Sequence, residues 1–338
     1  MNGENTINGI AKEAEAGENR PPLLILTGPT AVGKTALSIS LAKAVDGEII
    51  SADSMQVYKH MDIGSAKITA QEMQGVPHHL LDILEPWEDF NVVAFQKYCR
   101  EAIAGIYARG RVPILVGGTG FYIQAVLRDI AFTENEDDPV YRMELERFAE
   151  ENGEEALHEK LRQVDEVSAQ AIPSGNRKRV IRALEYYHLT KEPISVHNER
   201  ERQRPDAYNS CYFVLTDDRA VLYERIERRV DEMIENGLVA EVQALKDMGC
   251  RRGQTAMQGL GYKEILDYLD GTCTLEEAVA KIKQETRHFA KRQLTWFRRE
   301  QNVIWLDRAK YPAQSREMQD KQLLELMLQA AKDRKIKE

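Results

Sequence analysis

The sequence predicts an α/β protein: a parallel sheet flanked by helices, interrupted by a helical insertion. Three observations carry this. Short apolar runs end at loops rich in Gly or carrying Asp, amphipathic helical segments separate those runs, and strand character disappears between residues 133 and 205.

Taken in order, residues 23–26 (LLIL) form an apolar run that stops at Gly28, as a buried parallel strand does. The segment KTALSISLAKAV (34–45) then puts Leu37, Leu41, Ala44 and Val45 on one helical stripe. A second strand, begun by EIIS (48–51), delivers Asp53 at its carboxyl end. Residues 95–109 are helical, and RVPILV (111–116) is a buried strand stopped by GGTG (117–120). Ligands of such sheets bind at the carboxyl ends of the strands, so residues 28–35, Asp53 and 117–120 should border one crevice. Strand character returns at CYFVL (211–215), followed by TDDR and a long helix. Asp217 and Asp218 suit the first turn of that helix, and Leu222, Ile226, Val230 and Met233 form its stripe. Arg225 and Arg229 lie one turn apart on it, and both are expected to reach into the cleft. The expected division is a polar, disordered leader (1–20), a core (21–132 and 206–310), a helical insertion (133–205) and a C-terminal tail (311–338). That tail reads as a surface helix with no catalytic role.

The stretch GPTAVGKT (28–35) matches G-x-x-x-x-G-K-[ST] between a strand and a helix. Its parts are Gly28, Pro29, Thr30, Ala31, Val32, Gly33, Lys34 and Thr35. Glycines let the backbone wrap a polyphosphate, the amides and the helix N-terminus face it, Lys34 neutralises it, and Thr35 reaches a Mg2+ ion. The fold class is therefore P-loop NTPase-like. Loops of this kind most often serve ATP or GTP. An NTPase, however, usually has a strand ending in Asp that holds the metal, and RVPILVGGTG ends in glycine. Asp82, after a shorter apolar run, is a weaker substitute.

Composition bounds the rest. A chain of 338 residues with 43% hydrophobic and 30% charged residues is long enough for two globular domains. Its longest apolar runs are too short to span a bilayer. Cys99, Cys211, Cys250 and Cys273 are scattered without a C-x-x-C pair, which points to unpaired thiols in a cytoplasmic setting and away from a zinc site. The net charge of −9 argues mildly against nucleic acid, but the charges are segregated. Residues 134–155 are dense in acid, whereas 177–182 (RKRVIR) and 281–299 (KIKQETRHFAKRQLTWFRR) are basic. As a helix, 281–299 places Ile282, Phe289, Ala290, Leu294 and Phe297 on one arc. Lys281, Arg287, His288, Lys291, Arg292, Arg298 and Arg299 form the other, a footprint of nucleic-acid binding that a membrane-surface or calmodulin-target helix shares.

Asp53 beside a phosphate loop could bind metal, bind a ribose, act as a general base, or simply cap the next helix. The context SADSMQVY adds Ser54, Met55 and Gln56, and Gln pairs two-point with adenine. A base and an adenine reader on one loop suit chemistry at an adenine amine. His78 and His79 read as packed structural residues.

Taken together, GPTAVGKT (28–35), ISADSMQVYKHMDIGSAK (50–67), HHLLDILEP (78–86), VGGTGFY (116–122), RKRVIRALE (177–185), LYERIERRVDEMI (222–234), GLGYKE (259–264) and KRQLTWFRR (291–299) resemble the tRNA dimethylallyltransferases, of the bacterial type without a C-terminal zinc finger. The resemblance implies transfer of a dimethylallyl group from dimethylallyl diphosphate to N6 of the adenosine just 3′ of the anticodon, in tRNAs reading codons that begin with U. It further implies that residues 28–35 with Arg225 and Arg229 hold the diphosphate, that Thr35 supports Mg2+, and that Asp53 takes the N6 proton. Thr30 and Thr119 would line the reacting centre. Ser54, Met55 and Gln56 would meet the target base, with Gln56 reading the adenine. Lys178, Arg179, Arg182, Lys291, Arg292 and Arg298 would hold the anticodon stem-loop, with the insertion clamping it. A monomer with no membrane partner is expected. Relatives that prenylate free adenine nucleotides share these active-site motifs; the insertion and the basic helix favour tRNA. A small-molecule P-loop kinase and a non-catalytic RNA-binding protein are the remaining alternatives.

Overall fold

The structure is a computed structural model that describes residues 20–132, 138–312 and 314–336, so the expected leader lies, but for Arg20, outside the described residues. It forms two compact units, residues 20–127 with 206–336 and residues 128–205.

The first unit is built on a six-stranded parallel sheet: β1 (Pro22–Thr27), β2 (Gly47–Ala52), β3 (His78–His79), β4 (Val112–Gly117), β5 (Asn209–Thr216) and β6 (Val303–Asp307), in the order β3-β2-β4-β1-β5-β6. Its strands are apolar on both faces because both faces are covered. Along β1, Leu23 and Ile25 join a core with the helices Val92–Ala108, Gly120–Leu127 and Leu275–Phe297. Leu24 and Leu26, on the alternate face, join a second core with the helices Lys34–Val45 and Arg316–Asp333. The result is the P-loop NTPase-like α/β arrangement. Register aligns the carboxyl ends: Thr27 pairs with Gly117 on one side and Val214 on the other, and Ala52 pairs with Gly117. The ends of β1, β2, β4 and β5 therefore open onto one edge.

Two strands escape the sequence reading. β3 is a pair of histidines, too short for a hydrophobic run, and β6 is a half-exposed edge strand. The tail is also corrected. Leu323 and Met327 of the helix Arg316–Asp333 are fully buried against the sheet, so this helix is part of the core and not a surface appendage.

The second unit consists of the helices Pro139–Asn152, Glu154–Val164, Glu166–Ala171, Arg177–Thr190 and Ile194–Arg202 around Leu145, Leu157, Leu161, Val180 and Leu184. The bidentate pair of Arg142 with the buried Glu185, at 2.7 and 2.8 Å, ties its first helix to its fourth. Cys99, Cys211, Cys250 and Cys273 are all free thiols. Among the described residues no helix is long and apolar enough to cross a membrane.

At the amino end of β2, away from the crevice, the buried Glu48 accepts from Arg109 Nε at 2.9 Å, Arg109 Nη2 at 2.7 Å and Arg111 Nη1 at 3.1 Å. It also meets His79 Nε2 at 2.6 Å. Arg109 chiefly holds its carboxyl down at about 2, from an ordinary 4.5. A depressed folded-state pKa stabilises the fold above the ordinary value, and that stabilisation fades as pH falls toward the folded value. Glu48→Gln should therefore cost about 1–3 kcal/mol at pH 7. Urea titrations of both proteins should show the gap closing between pH 4.5 and pH 2.

Candidate active site

The loop after β1 has little conformational choice. Thr27 Oγ1 donates to Gly117 O at 2.8 Å, fixing the end of the strand. Gly28 has φ +145°, and a Cβ there would lie 2.2 Å from Leu215 O of β5, so only glycine fits. Ala31 (φ 61°) and Gly33 (φ 89°) take left-handed conformations and turn the chain into the helix Lys34–Val45. No side chain caps that helix, so its first amides are left for an anion. Lys34 folds back over the loop, its Nζ donating to Gly28 O at 3.0 Å and Pro29 O at 2.9 Å. Burial, reinforced by the charge of Arg229 and opposed by Asp53, pushes its ammonium down to about 8.

Asp53 stands directly after β2. Its Oδ1 accepts from the backbone N–H of Met55 at 2.8 Å and of Gln56 at 3.4 Å, while no described residue donates to Oδ2. One oxygen thus holds the turn, and the carboxylate borders the cavity. Facing it, Arg229 Nη1 donates to Thr30 Oγ1 at 3.4 Å, and burial lowers the guanidinium pKa while Asp53 opposes the fall. A cavity of about 670 Å³ is lined by Thr30, Lys34, Thr35, Asp53 and Arg229, with Ile63, Met233 and Phe289 as its apolar wall. Glu241 holds that wall in place by accepting from the N–H groups of Asp62, Ile63 and Gly64 at 2.9, 2.8 and 3.1 Å.

Several expected site residues behave differently. Arg225 does not line the cavity; its Nη1 is paired with Asp217 Oδ2 at 2.7 Å, because the carboxylate two residues before the helix competes for it. Gln56 lines the cavity, but its Nε2 already donates to Ser65 O at 3.2 Å and Ala66 O at 3.3 Å. Its Oε1 accepts from Ser51 Oγ at 3.0 Å. Both amide protons are engaged, so a two-point reading of adenine requires that these bonds open. Met55 packs against the core, and Ser54 continues the same turn. Thr119 is absent from the cavity lining, although its N–H meets Ala52 O at 3.4 Å, one residue before Asp53. Asp82 is bound to Lys67 at 2.5 Å.

Sequence reasoning missed Gln293. Buried on the helix Leu275–Phe297, its Oε1 accepts from Thr30 N at 2.9 Å and its Nε2 donates to Gly118 O at 3.0 Å, joining the phosphate loop to the loop after β4. The available signal was a glutamine on an apolar stripe, four residues from both Phe289 and Phe297.

For a metal, no cluster of three His, Cys, Asp or Glu exists among the described residues. The exposed Thr35 hydroxyl and the Asp53 carboxylate, both bordering the cavity, are hard oxygen donors of the kind that suit Mg2+ shared with a diphosphate.

The basic face of the helix Leu275–Phe297 is shorter than expected. Lys281, Lys283 and Arg287 are paired with Asp267, Asp231 and Glu227, and His288 with Glu285. Lys291, Arg292 and Arg298 are exposed and have no ion pair among the described residues. In the second unit, Lys178, Arg179 and Arg182 are exposed on the helix Arg177–Thr190.

The model of the IPP transferase family matches residues 56–300. The chain is 62% identical to the tRNA dimethylallyltransferase of Lachnoclostridium phytofermentans over 290 residues, 86% of this chain and 93% of that one. It is 54% identical to that of Carboxydothermus hydrogenoformans over 288 residues, 85% and 92% of the two chains. The crystal structure of the tRNA isopentenylpyrophosphate transferase of Bacillus halodurans superposes with TM-score 0.69 at 46% identity, covering 94% of this chain and 98% of that one. A eukaryotic dimethylallyltransferase described as acting on tRNA superposes with TM-score 0.73 at 28% identity, covering 85% and 74%. With family match and relatives both spanning most of its length, the chain belongs to the IPP transferase family, that of the tRNA dimethylallyltransferases.

Proposed function

We propose that this protein transfers a dimethylallyl group from dimethylallyl diphosphate to N6 of the adenosine 3′ of the anticodon in tRNA, releasing diphosphate. The observation that carries the reading is one cavity with the phosphate loop and Arg229 on one side and the unengaged Oδ2 of Asp53 on the other.

An adenine amine is a weak nucleophile, so rate must come from position, proton removal and stabilisation of the leaving group. In the proposed step the lone pair of N6 attacks allylic C1 as the C1–O bond breaks. Asp53 Oδ2 takes the N6 proton, and the bonding pair leaves with diphosphate. The amides at the start of the helix Lys34–Val45, Lys34 and Arg229 accept the charge that develops on it. The Thr35 hydroxyl would hold Mg2+, which when bound neutralises diphosphate oxygens. Ile63, Met233 and Phe289 suit the dimethylallyl methyls and exclude water from them. The base must leave its stack to reach the cavity, at least cost from a single-stranded loop. Lys291, Arg292, Arg298, Lys178, Arg179 and Arg182 supply the phosphate contacts. We assign the enzyme to the cytoplasm, acting as a monomer.

The test mixes purified protein, Mg2+, dimethylallyl diphosphate and an unmodified anticodon stem-loop, with AMP and ATP in parallel, read by mass spectrometry. One dimethylallyl addition to the RNA with AMP untouched is expected. Modified AMP with unmodified RNA would make it a nucleotide prenyltransferase, and ATP turnover without transfer would make it a kinase.

Asp53→Asn keeps an oxygen for the Met55 and Gln56 amides and removes the base. Single-turnover rates should fall about 10²- to 10⁴-fold. Stem-loop affinity should stay within about threefold, because the turn survives. Equal loss of rate and affinity would assign Asp53 to RNA binding.

A further inference from the structure

The segment that follows the edge strand β6 approaches the phosphate loop from outside the cavity. Arg316 Nη2 donates to Val32 O at 2.8 Å and Arg308 Nη2 to Gly33 O at 3.4 Å. Arg308 is almost wholly buried, paired with Asp320 at 2.6 Å. Gln319 locks the pair: its Oε1 accepts from Arg308 Nη1 at 2.9 Å and Arg316 Nη1 at 3.5 Å, and its Nε2 donates to Arg308 O at 2.8 Å. Asp217 Oδ2 lies 2.7 Å from Arg225 and 3.7 Å from Arg316. A Cβ on Gly33 would sit 2.2 Å from Arg316 Nη2, so the guanidinium lies against the loop where the backbone is left-handed.

Peptide planarity turns these contacts into a statement about the cavity. In a trans peptide the carbonyl of one residue and the N–H of the next point in opposite directions. A donor drawing Val32 O outward therefore sends Gly33 N–H inward, and one drawing Gly33 O outward does the same for Lys34 N–H. These are amides at the helix N-terminus, where an anion is held. A cationic donor on the oxygen also polarises the peptide and strengthens its N–H as a donor. Arg225, Arg308 and Arg316 against Asp217 and Asp320 leave a surplus positive charge beside the loop, which an anion in it would balance. Burial and the neighbouring Arg308 and Arg225 push the Arg316 guanidinium down to about 10, still charged at neutral pH.

We propose that Arg316, backed by Arg308, is a positioning residue for the diphosphate, holding the outer carbonyls of the phosphate loop so that its amides face the ligand. The proposal rests on the reading that this loop binds diphosphate. Both residues lie beyond the residues 56–300 that the family model matches.

The test titrates inorganic pyrophosphate with Mg2+ into full-length wild type, Arg316→Ala, Arg316→Lys and Leu323→Ala, the last removing only packing from the same helix. Arg316→Ala should weaken pyrophosphate binding about tenfold and lower kcat/KM for dimethylallyl diphosphate at least as much, leaving stem-loop affinity unchanged. Arg316→Lys should recover part of the loss. Leu323→Ala should lower Tm and leave pyrophosphate affinity alone. If wild type binds pyrophosphate and Arg316→Ala binds it equally, the inference is overturned. It is overturned too if Leu323→Ala loses as much affinity, since the role is then structural. A wild type that does not bind pyrophosphate would sink the diphosphate reading itself.

Discussion

A peptide plane can turn its N–H into a cavity only by turning its carbonyl out, and the carbonyl must then find a donor elsewhere. Much of the core around residues 28–35 answers that constraint. Gly28 lets the loop pass against Leu215 O, and left-handed turns at Ala31 and Gly33 bring the chain round to the helix. Gln293 takes the amide of Thr30, while Lys34 occupies the carbonyls of Gly28 and Pro29. Arg316 and Arg308 take those of Val32 and Gly33. Gln293, Arg308 and Arg316 reach the loop from more than 250 residues away in the chain, so it is shaped by the whole first unit.

This arrangement accounts for the distribution of charge. Lys34 and Arg229 face Asp53 inside the cavity, with the arginine group of Arg225, Arg308 and Arg316 behind the loop. β4 brings Gly117 and Gly118 to the same edge, where the backbone of Gly118 meets Gln293. In the proposed step a leaving diphosphate would need donors and cations, and the amine one carboxylate. Asp53 would meet that need with a divided role: one oxygen accepts from its own turn, which leaves the other without a donor among the described residues.

The parallel sheet, the phosphate loop and the position of Asp53 were legible in the sequence because each rests on local pattern: apolar runs of strand length, a glycine spacing, a carboxylate at a strand end. What escaped depends on contacts distant in sequence or on competition between partners. Arg225 and Arg229 share a helical edge, but Asp217 captures the first and leaves the second to the cavity. Gln56 has the chemistry to read adenine, yet Ser51, Ser65 and Ala66 already engage its amide. Nothing in DRAKYPAQSREMQD (307–320) marks Arg308 and Arg316 as partners of a loop near the other end of the chain. The histidine pair of β3 is too short for periodicity to register.

The central claim is that the loop holds a leaving diphosphate with the adenine amine between it and Asp53. A crystal structure with a non-reactive thio-analogue of dimethylallyl diphosphate and an anticodon stem-loop tests this most directly. The account predicts diphosphate oxygens on the amides of Gly33, Lys34 and Thr35, with the target N6 about 3–3.5 Å from C1 and about 2.6–3.2 Å from Asp53 Oδ2. A diphosphate bound elsewhere, or an adenine amine facing away from Asp53, would contradict it.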